Sequence, residues 1–170
     1  YPIFATLDLK TGELGFAPLD FPKTFKGDYS HIRSGDGFTY DYNYKENRLV
    51  CSFLESDSIM VTDDLTHTKW YNAKSQFLDS MIPYLNDVED LIRWKGKAKY
   101  WHFMYDKYRD VYYRFAEMPC ELAKDENPYD EFSHKSREFS VIILDKDFRI
   151  IGETKFPGNK YFIRMSFVGR

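Results

Sequence analysis

The feature that most constrains this chain is an alternation. Phe38, Tyr40, Tyr42 and Tyr44 alternate with Thr39, Asp41, Asn43 and Lys45, the period of a β-strand with rings on one face and polar groups on the other. A second strand, residues 48–54, follows the turn Lys45-Glu46-Asn47. Setting Tyr44 opposite Leu49 also sets Tyr42 opposite Cys51 and Tyr40 opposite Phe53. A one-residue slip would put rings against polar groups, so this register and a packed ring-bearing face are expected. Residues 59–62 make a third strand with Met60 opposite Phe53, and residues 67–71 a fourth.

The same unit returns. Residues 100–105, the turn 106–110 and residues 111–117 read as a hairpin; residues 139–144 and 149–154, joined through 145–148, read as another. At the N-terminus, residues 3–8, a Lys10-Thr11-Gly12 turn and residues 13–17 look like the outer hairpin of such a unit, and residues 161–167 like the first strand of one more. Repeated four-stranded antiparallel units are the signature of β-propeller blades. The expected fold is therefore all-β, a single incomplete propeller-type region over residues 1–170. It divides into a partial blade (1–27), a blade (38–74), a helical connector (75–96), a blade (97–157) with a loop insertion at 119–138, and the start of a next blade (160–170). The helical reading comes from mixed three- and four-residue apolar spacings over 75–95, interrupted by Pro83.

Composition narrows the classes. With 43% hydrophobic and 19% aromatic residues and a formal charge of −3, the chain is not compositionally disordered and lacks the basic footprint of a general nucleic-acid or anionic-membrane binder. No basic segment followed by an apolar run opens the sequence, and no stretch approaches the roughly 18 apolar residues of a membrane span. Cys51 and Cys120 lack a C-x-x-C spacing; a single disulfide and two free thiols are both compatible with the sequence.

Two stretches carry a family likeness: Phe103-Met104-Tyr105-Asp106-Lys107-Tyr108-Arg109-Asp110-Val111-Tyr112-Tyr113-Arg114-Phe115, and Phe139-Ser140-Val141-Ile142-Ile143-Leu144-Asp145-Lys146-Asp147-Phe148. Over residues 97–157, and more weakly over 38–74, the chain resembles the six-bladed β-propeller proteins of unknown function from gut Bacteroidota, many of them predicted envelope lipoproteins. The resemblance implies an exported propeller at the cell envelope, in the periplasm or on the cell surface, and supplies no catalytic residue. Six blades need about 240–270 residues, so 170 residues read as a fragment or an incomplete array.

The strongest candidate cluster lies on the 100–117 hairpin. With Tyr105 opposite Tyr112, one face carries Trp101, Phe103, Tyr105, Tyr112 and Arg114. Two readings stand: a ligand surface on which rings stack and Arg114 pairs with a carboxylate, or inter-blade packing with the guanidinium held over a ring. Asp106, Arg109 and Asp110 suit a turn-shaping ion pair or cap, as do Asp145 and Asp147, while Asp57, Asp63 and Asp64 sit at strand ends without calcium-loop spacing. His31, His67, His102 and His134 show no metal-ligand spacing, and His102 falls opposite Phe115. Neither a nucleophile elbow nor a phosphate-binding loop occurs. The expected function is a non-catalytic envelope binding or interaction module with an unknown protein, peptide or glycan partner. No nucleic acid, no membrane insertion of this segment, no cofactor and no metal are assigned; a lipid anchor in a longer parent chain is compatible. The alternatives are a propeller-type hydrolase or lyase with a metal or acidic site at the channel mouth, and a structural piece completing another chain's propeller.

Overall fold

The computed structural model describes residues 3–22, 37–79, 81, 96–120, 137–161, 163 and 166–169. Within them lie ten strands: β1 (Ala5–Leu7), β2 (Leu14–Phe16), β3 (Phe38–Asn43), β4 (Arg48–Phe53), β5 (Ser58–Thr62), β6 (Lys69–Asn72), β7 (Lys99–Asp106), β8 (Val111–Glu117), β9 (Phe139–Leu144) and β10 (Ile150–Phe156). They form a two-stranded sheet β1-β2 and two four-stranded sheets, β3-β4-β5-β6 and β7-β8-β9-β10, each in chain order. All pairings are antiparallel. No complete helix lies within the described residues, though Gly96, at the end of the expected connector, is helical; of the rest of that connector, residues 75–79 form no helix, and 80 and 82–95 lie outside the described set. So does most of the 119–138 insertion, residues 121–136. The strand expected over 161–167 is absent at its described positions, where Ile163 sits in a short 3₁₀ turn.

The first sheet's register differs from expectation by two residues. Tyr42 faces Leu49, Tyr40 faces Cys51 and Phe38 faces Phe53, and Cys51, not Phe53, faces Met60. A two-residue shift keeps every side chain on its face, so the hydrophobic pattern alone does not choose between the two. The turn does. Asn43 Oδ1 accepts the Lys45 and Glu46 N–H groups at 3.0 and 3.2 Å, and Asn47 closes a four-residue turn in the left-handed region (φ 51°). Two other hairpins use the same device. Asp106 Oδ1 accepts the Tyr108 and Arg109 N–H groups with Asp110 at φ 59°, and Asp8 Oδ1 accepts those of Lys10 and Thr11 with Gly12 at φ 75°. Asn and Asp serve here because a short side-chain acceptor satisfies the turn's amides.

The sheets stack in layers. Val50, Ile59 and Val61 join Tyr100, Phe103, Tyr105, Tyr112, Ile142 and Leu144 in one core between the four-stranded sheets. The opposite face of the first sheet, with Leu49, Cys51, Phe53 and Met60, is covered by Ala17, Leu19, Phe4 and Phe21 from the base of the β1–β2 hairpin. Beyond the second sheet, Phe115 and Phe139 pack with Ile163. A correction follows for β3. Its polar side, bearing Thr39, Asp41 and Asn43, is the one turned to the second sheet. Its ring side is only partly covered, with Tyr40 60% exposed and Tyr44, in the turn, 82% exposed.

Candidate functional site

Of the five clustered candidates, Phe103, Tyr105, Tyr112 and Arg114 share one face of the second sheet and Trp101 does not. Pairing follows expectation from Asp106↔Val111 back to His102↔Phe115, then shifts to Tyr100↔Ala116. The β-bulge at Trp101 turns Tyr100 inward, where it joins the inter-sheet core, and sends Trp101 to the outer cluster with Met104 and Tyr113. An extra residue in one strand re-aims everything before it. The inner ring beside Arg114 is therefore Tyr100, which the period-2 pattern passes over.

Arg114 is fully buried, and all five of its N–H donors are used. Nε donates to Ser52 Oγ at 2.9 Å, Nη1 to the carbonyls of Asp57 and Ala73 at 3.0 and 2.9 Å, and Nη2 to those of Phe53 and Ser56 at 3.2 and 2.5 Å. The guanidinium lies 3.5 Å from the Tyr100 ring centroid. Four of those acceptors are backbone carbonyls, from the end of β4, the β4–β5 turn and the residue after β6, that the second sheet removes from water; those of Phe53 and Asp57 also accept the Ser56 and Ala73 N–H groups, and a buried carbonyl left unpaired costs free energy. Burial pushes the Arg114 pKa down to about 10, against the pull of Tyr100 and Asp57, so the group stays charged at neutral pH. Burial also raises the Tyr100 phenol, whose hydroxyl donates to Asp57 Oδ1 at 2.8 Å.

Further polar links cross the same interface. Asp41 Oδ2 accepts the Tyr105 N–H at 2.7 Å, and Asn43 Nδ2 donates to Tyr112 Oη at 2.7 Å. Glu153 accepts from Ser75 Oγ, from Ser140 Oγ at 2.5 Å and from the Gln76 N–H at 2.8 Å. None of these stood out in the sequence, because the partners lie 64 to 78 residues apart, or 13 for Ser140–Glu153.

At one end of this interface the turns 44–47 and 107–110 lie side by side. Lys45 Nζ is 3.7 Å from Asp110, and Tyr105 Oη donates to Asp110 at 2.6 Å. Buried Asp106 also holds Arg109 Nη1 at 2.7 Å and Tyr113 Oη at 3.2 Å. Burial pushes the Asp106 carboxyl up, but Arg109, the turn amides and Tyr113 outweigh it and hold it below the usual carboxylate range. Tyr44 and Tyr108 project from this ledge, with the Lys107 ammonium 5.2 Å from the Tyr108 ring centroid.

The remaining candidates are dispersed. His102 packs edge-on against Phe115, exposed His67 bonds Asp64 at 2.7 Å, and His31 and His134 lie outside the described residues. Asp63 holds Arg48 at 2.8 Å, and Asp145 accepts the Asp147 and Arg149 N–H groups. Cys51 and Cys120 are free thiols. Among the described residues no three His, Cys, Asp or Glu side chains converge as a metal site would need, and no helix is long and apolar enough to cross a membrane.

Comparison with known proteins fits this layered sheet architecture to a family. The model of DUF4221, a domain of unknown function, matches residues 1–155. The chain belongs to the DUF4221 family. A crystal structure of a DUF4221 member from Bacteroides vulgatus ATCC 8482, at 1.75 Å resolution, superposes with a TM-score of 0.87 at 56% sequence identity. The match covers 99% of this DUF4221 chain and 47% of that one, so the chain spans about half the length of its solved relative. No curated protein matches it.

Proposed function

We propose that this DUF4221 chain is part of a β-propeller-type binding or interaction module of the bacterial cell envelope, without catalysis of its own. The observation that supports it most is the wedge between the four-stranded sheets. Their first strands, β3 and β7, approach closely along the backbone, and the Asp41 carboxylate bonds the Tyr105 N–H. Their last strands, β6 and β10, have no comparable backbone approach; on that side contact runs through side chains, with Tyr71 on Phe148 of the β9–β10 turn at 4.7 Å between centroids and Glu153 of β10 on Ser75 and Gln76 after β6. Sheets that converge along their first strands stack radially, and repetition of such a wedge closes into a ring. The envelope location rests on the family likeness of the 103–115 and 139–148 segments.

The binding surface in this reading is the paired-turn ledge. Tyr44, Tyr108 and Lys107 offer stacking faces and a cation, which suit a glycan or a peptide carrying carboxylates. Tyr105 and Tyr112 hold the two turns from beneath. The test is a glycan and peptide array probed with the full-length polypeptide and with its Tyr44→Ala/Tyr108→Ala form. At least a tenfold loss of affinity for a bound class, at unchanged melting temperature, supports the ledge; equal binding by both forms removes it.

A further inference from the structure

We infer that the outer edge of β1 is an acceptor for strands from a part of the same polypeptide outside residues 1–170, which would complete the β1–β2 hairpin into a third four-stranded sheet. The inference rests on the architectural half of the reading above and is independent of any ligand.

The position of the hairpin comes first. Chain leaving β2 reaches Ala17, and chain leaving β6 reaches Ala73. Both alanines are buried against the second strand of the following sheet: Ala17 in the cluster with Cys51 of β4, Ala73 through its carbonyl on Arg114 of β8. β2 thus stands to the first sheet as β6 stands to the second, as the last strand of a preceding layer. β1 then corresponds to β5, which is a third strand with a neighbour on each side.

Next, the edge is open. Ala17 N–H donates to the Phe4 carbonyl at 3.0 Å and Asp8 N–H to that of Glu13 at 2.9 Å. In an antiparallel ladder hydrogen-bonded pairs alternate, so Thr6 bonds Gly15, and Ala5 and Leu7 direct their N–H and C=O groups away from β2. Among the described residues no strand lies on that side. The face is apolar as well: Leu7 is 58%, Leu14 65% and Phe16 66% exposed, and Leu7 pairs Leu14. An isolated two-stranded hairpin is marginal in water, and an unpaired edge invites pairing.

The occupant follows from length. The solved relative's chain is somewhat more than twice as long, and 47% of it accounts for nearly the whole of this chain, so the remainder contains ample material for two strands. Two strands of one polypeptide complete a layer that otherwise ends in the air.

The test places the photo-reactive residue p-benzoylphenylalanine at Leu7 of the full-length polypeptide and maps cross-links by mass spectrometry at two protein concentrations. Intramolecular cross-links to residues outside 1–170, independent of concentration, are expected. Cross-links to residues 23–36 or elsewhere within 1–170, concentration-dependent cross-links between copies, or none at all would each overturn the inference. In the same sample, hydrogen exchange at Ala5 and Leu7 should be as slow as at Thr6; fast exchange at those two amides alone would also overturn it. Failure of the array experiment leaves both readouts unaffected.

Discussion

β4 and β8 occupy the same place in their sheets, and their inward chemistry is opposite. Counting from the left-handed residues that close the preceding turns, Asn47 and Asp110, Cys51 and Arg114 are equivalent. Each faces the layer before it, and each is fully buried. Cys51 meets side chains, those of Ala17, Leu19 and their neighbours. Arg114 meets backbone, the carbonyls of Phe53, Ser56, Asp57 and Ala73. What the neighbouring layer presents decides the residue: an apolar surface needs only shape, whereas a buried turn presenting several carbonyls needs donors in a fixed fork.

The most disruptive way to break that contrast is to give β8 the chemistry of β4. Arg114→Met removes five hydrogen bonds and takes the guanidinium donors from four buried carbonyls, of which Asp57 keeps the Ala73 N–H and Phe53 the Ser56 N–H, and a loss of about 3–5 kcal/mol is expected in urea unfolding. Arg114→Lys should recover only part of it, since an ammonium has three donors and no planar fork; full recovery would show that charge alone matters. The reverse change is milder. Cys51→Ser sets a hydroxyl among apolar groups and should cost about 1–3 kcal/mol. Burial also pushes the Cys51 thiol up to about 12, so thiol reagents should leave it unmodified in the native protein and label it on unfolding.

Tyr112→Phe, which takes from Asn43 its partner across the interface, should cost about 1 kcal/mol. Asp106→Asn is read as a pH slope. The folded Asp106 pKa lies below its unfolded value, so the unfolded chain takes up the proton first as pH falls. The stability from this carboxylate is complete well above roughly pH 4 and disappears as pH drops through the folded value. The Asn variant should lack that part of the acid slope in denaturation curves collected between roughly pH 6 and 2.

Much of the architecture was legible because period-2 patterning is local. The strands near 38–43, 48–53, 111–117 and 139–144 stand where alternation puts them, and Tyr105↔Tyr112 and Phe103↔Arg114 pair as expected. Register across Tyr44–Asn47 was not legible, since faces are indifferent to a two-residue shift and only the Asn43 cap distinguishes them. The inward turn of Asp41 and Asn43 was hidden for another reason. A polar stripe reads as solvated unless its partners are known, and those partners are a backbone amide and a phenol on a different sheet. Arg114 could be picked out among rings, but its carbonyl acceptors have no side-chain signature.

The bulge at Trp101 acts on β7 as a frameshift acts on a reading frame. Downstream, Phe103 and Tyr105 keep their sense; upstream, Lys99 and Tyr100 are read in the other. Deleting Trp101 would restore an unbroken ladder, with Tyr100↔Ala116 and His102↔Phe115 as consecutive pairs and the Tyr100 ring still inward beside Arg114. A relative without the extra residue would carry its inward aromatic two rather than three places before the residue matching Phe103, opposite the same β8 position, and an alignment without a gap there would misplace it.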